Sequence, residues 1–412
     1  MKITPVKGTN DYLPAQAELR DYLQKKICET YENCGFQRIF TPIIEDIENL
    51  DKSEGGDNLN LIFKVMKRGD KLKKAIEAGD PDKIADMGLR YDLTLPLSRY
   101  YANNRASLPQ PFKVIQIDKV YRAERPQKGR LREFMQCDID ILGSDSPTCE
   151  IELMHTTAKA LLGIGIDQFK IKVNDRRILK EILLSAGFEE SQLDSVCITF
   201  DKLSKIKAEG VEAELTAKGF DAAIIANFMK MIENAPFTLE YVKTLCKNTE
   251  YIDTLTMIIN TANELSEGKY TVEYDMTLVR GQGYYTGTVF EIESLDFGSS
   301  IAGGGRYDNL IGKFVKEQIP AVGFSIGFER IFSILSDRAN AFADRAKKIV
   351  VLYDETDIKD AIQKAEELRK TYTVALFVKP KKMGKFLNKL EEQGYDGFFV
   401  LGRDENVRFF SE

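Results

Sequence analysis

The sequence predicts an α+β protein with antiparallel strands, surrounding helices and a separate C-terminal α/β domain. Three observations predict it. Phe112–Val120 is apolar and extended, and Phe134–Leu142 alternates; a long cationic loop joins them, as in a hairpin. Tyr270–Val279 alternates cleanly and Thr288–Ile292 is β-rich, with a Gly/Tyr turn between them, which predicts antiparallel pairing. Residues 348–412 alternate β and α segments, which predicts a parallel sheet with right-handed crossovers.

The elements follow in order. Residues 1–14 read as an extended arm with turn chemistry at Gly8–Asp11. Leu19, Leu23, Ile27 and Tyr31 recur at every fourth position, predicting a helix over 16–34 that Gly35 ends. Phe40–Glu45 reads as a strand, Asp51–Asn60 as a polar loop and Leu61–Val65 as another strand. Lys67–Asp86 is highly charged and reads as an exposed excursion with a short helix. Leu89–Thr94 returns as a strand, and Leu95–Asn104 reads as a helix. Ile151, Met154, Ala158 and Leu161 form the apolar stripe of a helix over Pro147–Leu162. His155 lies beside that stripe and, with no partner histidine, reads as a packed or surface helix residue rather than a ligand.

Phe169–Val173 is a strand, and Asn174–Ile259 is mostly helical in pattern. There Lys202, Lys205 and Lys207 precede Glu209, Glu212 and Glu214, a mixed-charge solvated face. Gly281-x-Gly283 is not a dinucleotide fingerprint, because the third glycine is misplaced and a strand follows. Ser325–Leu335 reads as a helix start with Arg330 near its beginning, and Asn340–Lys347 as a polar linker. In the C-terminal domain Ile349–Leu352, Val374–Val378 and Gly397–Leu401 read as strands; Asp357–Thr371 and Lys381–Gly394 read as the helices between them.

Bulk properties narrow the function. The 412 residues suffice for two or three domains with full cores. A net charge of −6 excludes a nucleic-acid polycation, so any RNA contact needs local basic patches. Six scattered cysteines without a C-x-x-C pair argue against a zinc site or a disulfide scaffold and fit reduced cytosolic thiols. A single histidine leaves no His-based metal cluster or serine-protease-like triad. No apolar run is long enough to span a bilayer.

The hairpin carries the chemistry. Its loop region holds Arg122, Arg125, Lys128, Arg130 and Arg132, and guanidinium forks suit a polyphosphate. Gln136, Asp138 and Asp140 are spaced two apart, so they share one strand face, while Ile139 and Ile141 take the other. Those carboxylates suit a cationic or NH-donating small molecule.

Arg122-Ala-Glu124-Arg125-Pro-Gln-Lys-Gly-Arg130 closely resembles the second signature motif of histidyl-tRNA synthetases, which are class II aminoacyl-tRNA synthetases. Arg90–Thr94 is similar to the family's amino-acid-binding segment, and Leu278–Gly287 to its histidine-specific arginine motif. Gly303–Asp308 followed by Gly323–Arg330 resembles the glycine-rich segment leading into the third class II motif. The similarity runs in the family's order from about Gly8 to the C-terminus.

The resemblance implies a class II antiparallel sheet flanked by helices over 1–340, with a mostly helical insertion at about 174–259. It implies an anticodon-binding-like domain over 348–412, shortened by a missing terminal helix, where Lys379, Lys381, Lys382 and Lys385 could meet RNA phosphate. It implies ATP as substrate with Mg²⁺, L-histidine and tRNA(His) as partners, a cytoplasmic homodimer with an interface around Pro42, and no membrane contact. Arg280, Arg122 and Arg330 are then the expected catalytic arginines. Histidine would meet Asp92, Leu93, Thr94, Arg122, Gln136, Asp140, Arg280, Tyr284 and Tyr285. ATP would meet Arg122, Glu124, Arg132 and Arg330, with Glu124 and Arg132 touching ATP or its Mg²⁺, and no protein metal ligand is assigned from the sequence.

One departure stands out. The family usually has Asp where this chain has Gly283, which removes a group that would orient Arg280. The alternative reading is therefore a non-ligating histidine-binding paralogue, the regulatory subunit of ATP phosphoribosyltransferase in histidine biosynthesis. That class typically lacks a C-terminal domain and loses catalytic arginines. A third reading, an RNA-binding module without catalysis, leaves the ATP-site residues unexplained.

Overall fold

The computed structural model describes residues 2–51, 61–125, 131–200, 202–233, 238–280, 284–338 and 346–410. The chain forms two compact units, Met1–Asp11 with Tyr22–Asp337, and Tyr12–Asp21 with Arg338–Glu412. The loop expected over 51–60 apart from Asp51, the basic residues Lys128 and Arg130, the Gly281–Gly283 turn and most of the 340–347 linker lie outside the described residues.

The chain opens with α1 (Pro14–Asn33), β1 (Gln37–Arg38), β2 (Ile44–Asp46) and α2 (Ile47–Leu50). The charged excursion follows as β3 (Lys64–Met66), α3 (Asp70–Glu77) and β4 (Ala85–Leu89). Strands β2, β4 and β3 form a small antiparallel sheet. Next come α4 (Thr94–Asn104), β5 (Phe112–Tyr121), β6 (Glu133–Leu142), α5 (Thr148–Gly163) and β7 (Phe169–Asp175). The insertion is helical: α6 (Arg176–Ala186), α7 (Leu193–Phe200), α8 (Leu203–Ala217), α9 (Ala222–Glu233), α10 (Leu239–Leu245) and α11 (Glu250–Ser266). Fully buried Phe200 and Phe228 meet edge-on there, with centroids 5.4 Å apart. The unit closes with β8 (Thr271–Tyr274), β9 (Thr288–Ser294), β10 (Ser299–Arg306), α12 (Gly312–Val315), β11 (Ala321–Gly327) and α13 (Phe328–Ser336).

Its main sheet has the order β1-β5-β6-β11-β10-β9-β7-β8. The pairs from β5 through β7 are antiparallel, and only the outer pairs β1–β5 and β7–β8 are parallel. The predicted β5–β6 hairpin pairs in full, from Phe112 with Leu142 to Tyr121 with Glu133. Cys137, Ile139 and Ile141 bury completely, and α5 packs against β6 and β11. This leaves the alternate residues of β6 for the other face.

Three expectations need correction. The strand expected over Leu89–Thr94 stops at Leu89, because Asp92 accepts the Leu95 amide and turns the chain into α4. The alternating run Tyr270–Val279 is extended only to Tyr274, and it does not pair with β9. β7 lies between them, and the Asn174 amide donates to the Met276 and Leu278 carbonyls, drawing that stretch off the sheet. Finally, Ser325–Gly327 belongs to β11, so the helix begins at Phe328.

The second unit contains β12 (Lys348–Tyr353), α14 (Ile358–Leu368), β13 (Thr373–Val378), α15 (Met383–Glu392), β14 (Gly397–Val400) and β15 (Arg408–Phe409). β12 pairs parallel with both β13 and β14, and β15 adds a short antiparallel edge. Within the same unit, Glu18 accepts from Lys348. No helix among the described residues is long and apolar enough to cross a membrane.

Candidate active site

The open face of the main sheet forms the floor of a cavity of about 330 Å³. β6 supplies Gln136, Asp138 and Asp140, which lie opposite Gly327, Ser325 and Gly323 of β11. β10 continues the rows, with Gly303 opposite Ser325 and Gly305 opposite Gly323. The glycines are required by what stands over them. A Cβ on Gly303 would lie 1.7 Å from Arg280 Nη1, and one on Gly323 would lie 1.8 Å from Asp140 Oδ1. The β10 and β11 glycine strip is therefore a cradle for one guanidinium and one carboxylate.

Arg280 adopts a left-handed backbone with φ +56°, at the end of the stretch drawn off the sheet. Its Nη1 lies 3.2 Å from Glu291 Oε2 on β9. Arg122 sits at the end of β5, where its Nε donates to the Tyr91 carbonyl at 3.0 Å. Its guanidinium lies 5.0 Å from the centre of the Phe134 ring. Arg330, in the first turn of α13, donates to the Ser300 carbonyl. All three arginines line the one cavity. Each is held by a backbone carbonyl, a ring or a carboxylate, so positive charge is in place before a ligand arrives.

The opposite charge is deeper. Asp92, Asp138 and Asp140 are 3%, 4% and 3% exposed. Burial raises the Asp140 carboxyl to about 7; the Tyr307 hydroxyl pulls against that shift, and nearby Asp92 adds to it. Tyr307 donates to Asp140 Oδ1 at 2.7 Å. Burial also raises Asp92, opposed by the Leu95 amide and by Arg122. Asp138 lies well above the usual carboxylate range, through burial first and Asp140 second. Tyr284 and Tyr285 close the wall, with ring centres 4.8 Å apart, and Tyr284 lies 6.0 Å from Tyr307. Burial pushes both hydroxyls up, so they stay protonated donors at neutral pH.

The structure thus brings Asp92, Thr94, Arg122, Glu124, Gln136, Asp140, Arg280, Tyr284, Tyr285 and Arg330 to one cavity. Two expected site residues stand elsewhere. Leu93 is fully buried, and its carbonyl accepts from Gln116 Nε2 at 2.9 Å. Arg132 donates through Nε to the Glu124 carbonyl at 3.1 Å and through its amide to the Gly8 carbonyl at 2.7 Å. It ties the base of the cationic loop to the N-terminal arm.

Sequence reasoning gave no role to Tyr307, Ser325, Glu291 or Glu329, all close to this chemistry, and left Asp138 only as one of two carboxylates suited to a cationic or NH-donating molecule. Asp138 had a visible signal, its place between Gln136 and Asp140 on one strand face. Tyr307 had a weaker one, its position two residues after the glycine run. Glu291 had none, because its contact with Arg280 exists only through the pairing of β9 with β10. Among the described residues, no group of three or more His, Cys, Asp or Glu could hold a metal ion. His155 lies on α5, part-buried and away from the cavity.

An antiparallel sheet bearing arginines over a glycine strip, beside an acidic pocket, fits the class II aminoacyl-tRNA ligases that the sequence motifs resemble. Comparison with known proteins gives the family. The sequence model described as histidyl-tRNA synthetase matches residues 8–331. The histidine–tRNA ligase of Leifsonia xyli subsp. xyli is 43% identical over 365 residues, covering 85% of this chain and 84% of that protein. The histidine–tRNA ligase of Cytophaga hutchinsonii is 34% identical over 420 residues, covering 97% of this chain and 92% of that protein. The crystal structure of histidyl-tRNA synthetase from Nostoc sp. PCC 7120 superposes with a TM-score of 0.78 at 26% identity, covering 97% of this chain and 91% of that one. The chain belongs to the histidyl-tRNA synthetase family.

Proposed function

We propose that this cavity activates L-histidine with ATP and passes the histidyl group to tRNA(His), the reaction of a histidine–tRNA ligase. The observation that carries the proposal is Arg280 seated on Gly303, in the same cavity as the Asp140–Tyr307 pair. The first half-reaction joins two anions: the histidine carboxylate attacks the α-phosphorus of ATP, and pyrophosphate leaves. Charge builds on phosphate oxygens, so catalysis is positioning plus fixed positive charge. Arg122 and Arg280 fit the substrate carboxylate and α-phosphate, since guanidinium stays charged and binds in pairs. Arg330 fits the terminal phosphates. Magnesium would enter with ATP, as the counter-ion of its phosphates, with the cavity-lining Glu124 and Glu329 as the nearest protein candidates.

At the other end, Asp140 fits an imidazole N–H and Asp92 the α-ammonium. A pocket built on satisfied polar pairs discriminates strongly against analogues lacking the N–H. In the second half-reaction a ribose hydroxyl at the tRNA 3′ end takes the histidyl group. The second unit, with its parallel strands and intervening helices, fits an anticodon-binding role. Lys379 is committed there to Asp354 at 2.6 Å and to the Leu401 carbonyl. This leaves Lys381, Lys382 and Lys385 as the candidates for RNA phosphate.

A homodimer is supported by exposed apolar side chains around Pro42, including Phe40 at 70% exposure and Ile44 at 51%. The unpaired cysteines fit a cytoplasmic setting. The relatives' names and the cavity's three arginines favour the ligase over the regulatory-subunit reading. The deciding test is histidine-dependent ATP–pyrophosphate exchange with the purified protein, alongside histidine binding by calorimetry. Exchange is expected; binding without exchange would turn the assignment to the regulatory class.

A further inference from the structure

Among the described residues, two acceptor oxygens in the cavity have no donor: Gln136 Oε1 and Asp138 Oδ1 are both buried and without a hydrogen-bond partner. Orphaned buried acceptors are costly, and in a binding site they mark where a ligand's donors go. Their orientation is controlled. Gln136 Nε2 donates to Ser325 Oγ at 2.9 Å, which turns the amide oxygen away from Ser325. Ser325 lies opposite Asp138 in the strand register and also hydrogen-bonds it. One hydroxyl thus sets both the amide of Gln136 and the carboxylate of Asp138.

The rows of the sheet say which part of a ligand these oxygens face. Asp138, Ser325 and Gly303 form one row, and Arg280's guanidinium stands over Gly303. Asp140, Gly323 and Gly305 form the next row, beneath Tyr307. Successive rows on one strand face are about 7 Å apart, comparable to the length of a histidine from backbone to ring. With the ring over the Asp140 row and the carboxylate at Arg122 and Arg280, the α-nitrogen falls over the Asp138 row. Charge agrees: Asp138 has Asp140, Asp92 and Arg122 as its charged neighbours, an acidic excess that calls for a cation.

We infer that Asp138 is a specificity-determining residue that, with Gln136 Oε1 and Asp92, accepts the three N–H donors of the substrate's α-ammonium, and that Ser325 positions it. This rests on the reading of L-histidine as substrate. It gives Asp138, read from the sequence only as a carboxylate suited to a cationic or NH-donating molecule, a defined partner.

The test is calorimetric binding of three ligands to the full chain and to Asp138→Asn. L-Histidine carries ammonium and carboxylate, L-histidinol keeps only the ammonium, and imidazolepropionate keeps only the carboxylate. The expected result is a loss of about tenfold to a hundredfold for histidine and histidinol, with imidazolepropionate unchanged. Equal losses for all three ligands would reduce Asp138 to a shaping role and overturn the inference, as would no loss at all. Ser325→Ala, which removes only the hydroxyl, provides a second measurement should Asp138→Asn fold poorly; it should show the same selectivity at smaller size, and a uniform effect or none counts against the inference. If the unmodified protein bound none of the three, the histidine reading itself would fall, a result distinct from any variant's behaviour.

Discussion

Tyr307 donates its hydroxyl to Asp140 Oδ1 at 2.7 Å, and both residues are buried. That bond holds down a carboxyl that burial otherwise raises, and the two effects leave Asp140 near 7. Above that pH Asp140 is a carboxylate that accepts an imidazole N–H; below it, a neutral acid. Histidine affinity should therefore rise between pH 6 and 8. Removing the hydroxyl with Tyr307→Phe should raise the Asp140 pKa further and shift that rise to higher pH. At pH 7 the variant should bind histidine about tenfold more weakly. Calorimetry across the pH range tests this; an unshifted profile would separate Tyr307 from Asp140.

The same carboxyl affects stability. Its folded pKa lies above the unfolded value, so the folded state holds the proton longer. The contribution is complete below about pH 4 and is lost as pH rises through 7. Asp92 and Asp138 are shifted in the same direction. Bound histidine, by supplying donors and positive charge, should raise the melting temperature more at pH 8 than at pH 6. Thermal melts with and without histidine at the two pH values check this, and a larger effect at pH 6 would contradict it.

Gly303 and Gly304 are neighbours with opposite expected phenotypes. A Cβ on Gly303 meets the end of the Arg280 side chain, which can move away. Gly303→Ala should fold normally while losing about a hundredfold in adenylate formation. A Cβ on Gly304 would lie 2.0 Å from the Gly323 carbonyl, which the β10–β11 ladder holds in place. Gly304→Ala should therefore cost about 3 kcal/mol of stability. Denaturant melts paired with pyrophosphate exchange separate the two.

Arg280→Ala should abolish adenylate formation while weakening histidine binding only in part, because the imidazole and ammonium partners and Arg122 at the carboxylate remain. Retained exchange activity would show the catalytic assignment to be wrong.

Arg306 anchors the end of the glycine strip without entering the chemistry. It pairs with Glu150 through two 2.7 Å contacts, and both side chains are nearly fully buried. Glu150→Ala would strand that guanidinium and should cost about 3–5 kcal/mol. Chemical denaturation would reveal it; a loss within 1 kcal/mol, roughly a surface pair's worth, would mean that Asp308 and the Ser144 carbonyl satisfy Arg306 unaided.

The sequence by itself determined the elements whose signals are local. The β5–β6 hairpin followed from alternation, the shared face of Gln136, Asp138 and Asp140 from a period of two, and the α/β order of the C-terminal segment from its apolar runs. It also determined the family, because four motifs occur in one order. Only the tertiary structure decided which distant residues meet. Local alternation over Tyr270–Val279 could not show that β7 would lie between β8 and β9, or that Asn174 would draw the chain away. Neither could it show that Gly303 is where Arg280 rests, or that Tyr307 meets Asp140 across 167 positions. Those relations depend on strand register, which long-range pairing sets; a shift of one residue would turn every floor side chain to the opposite face.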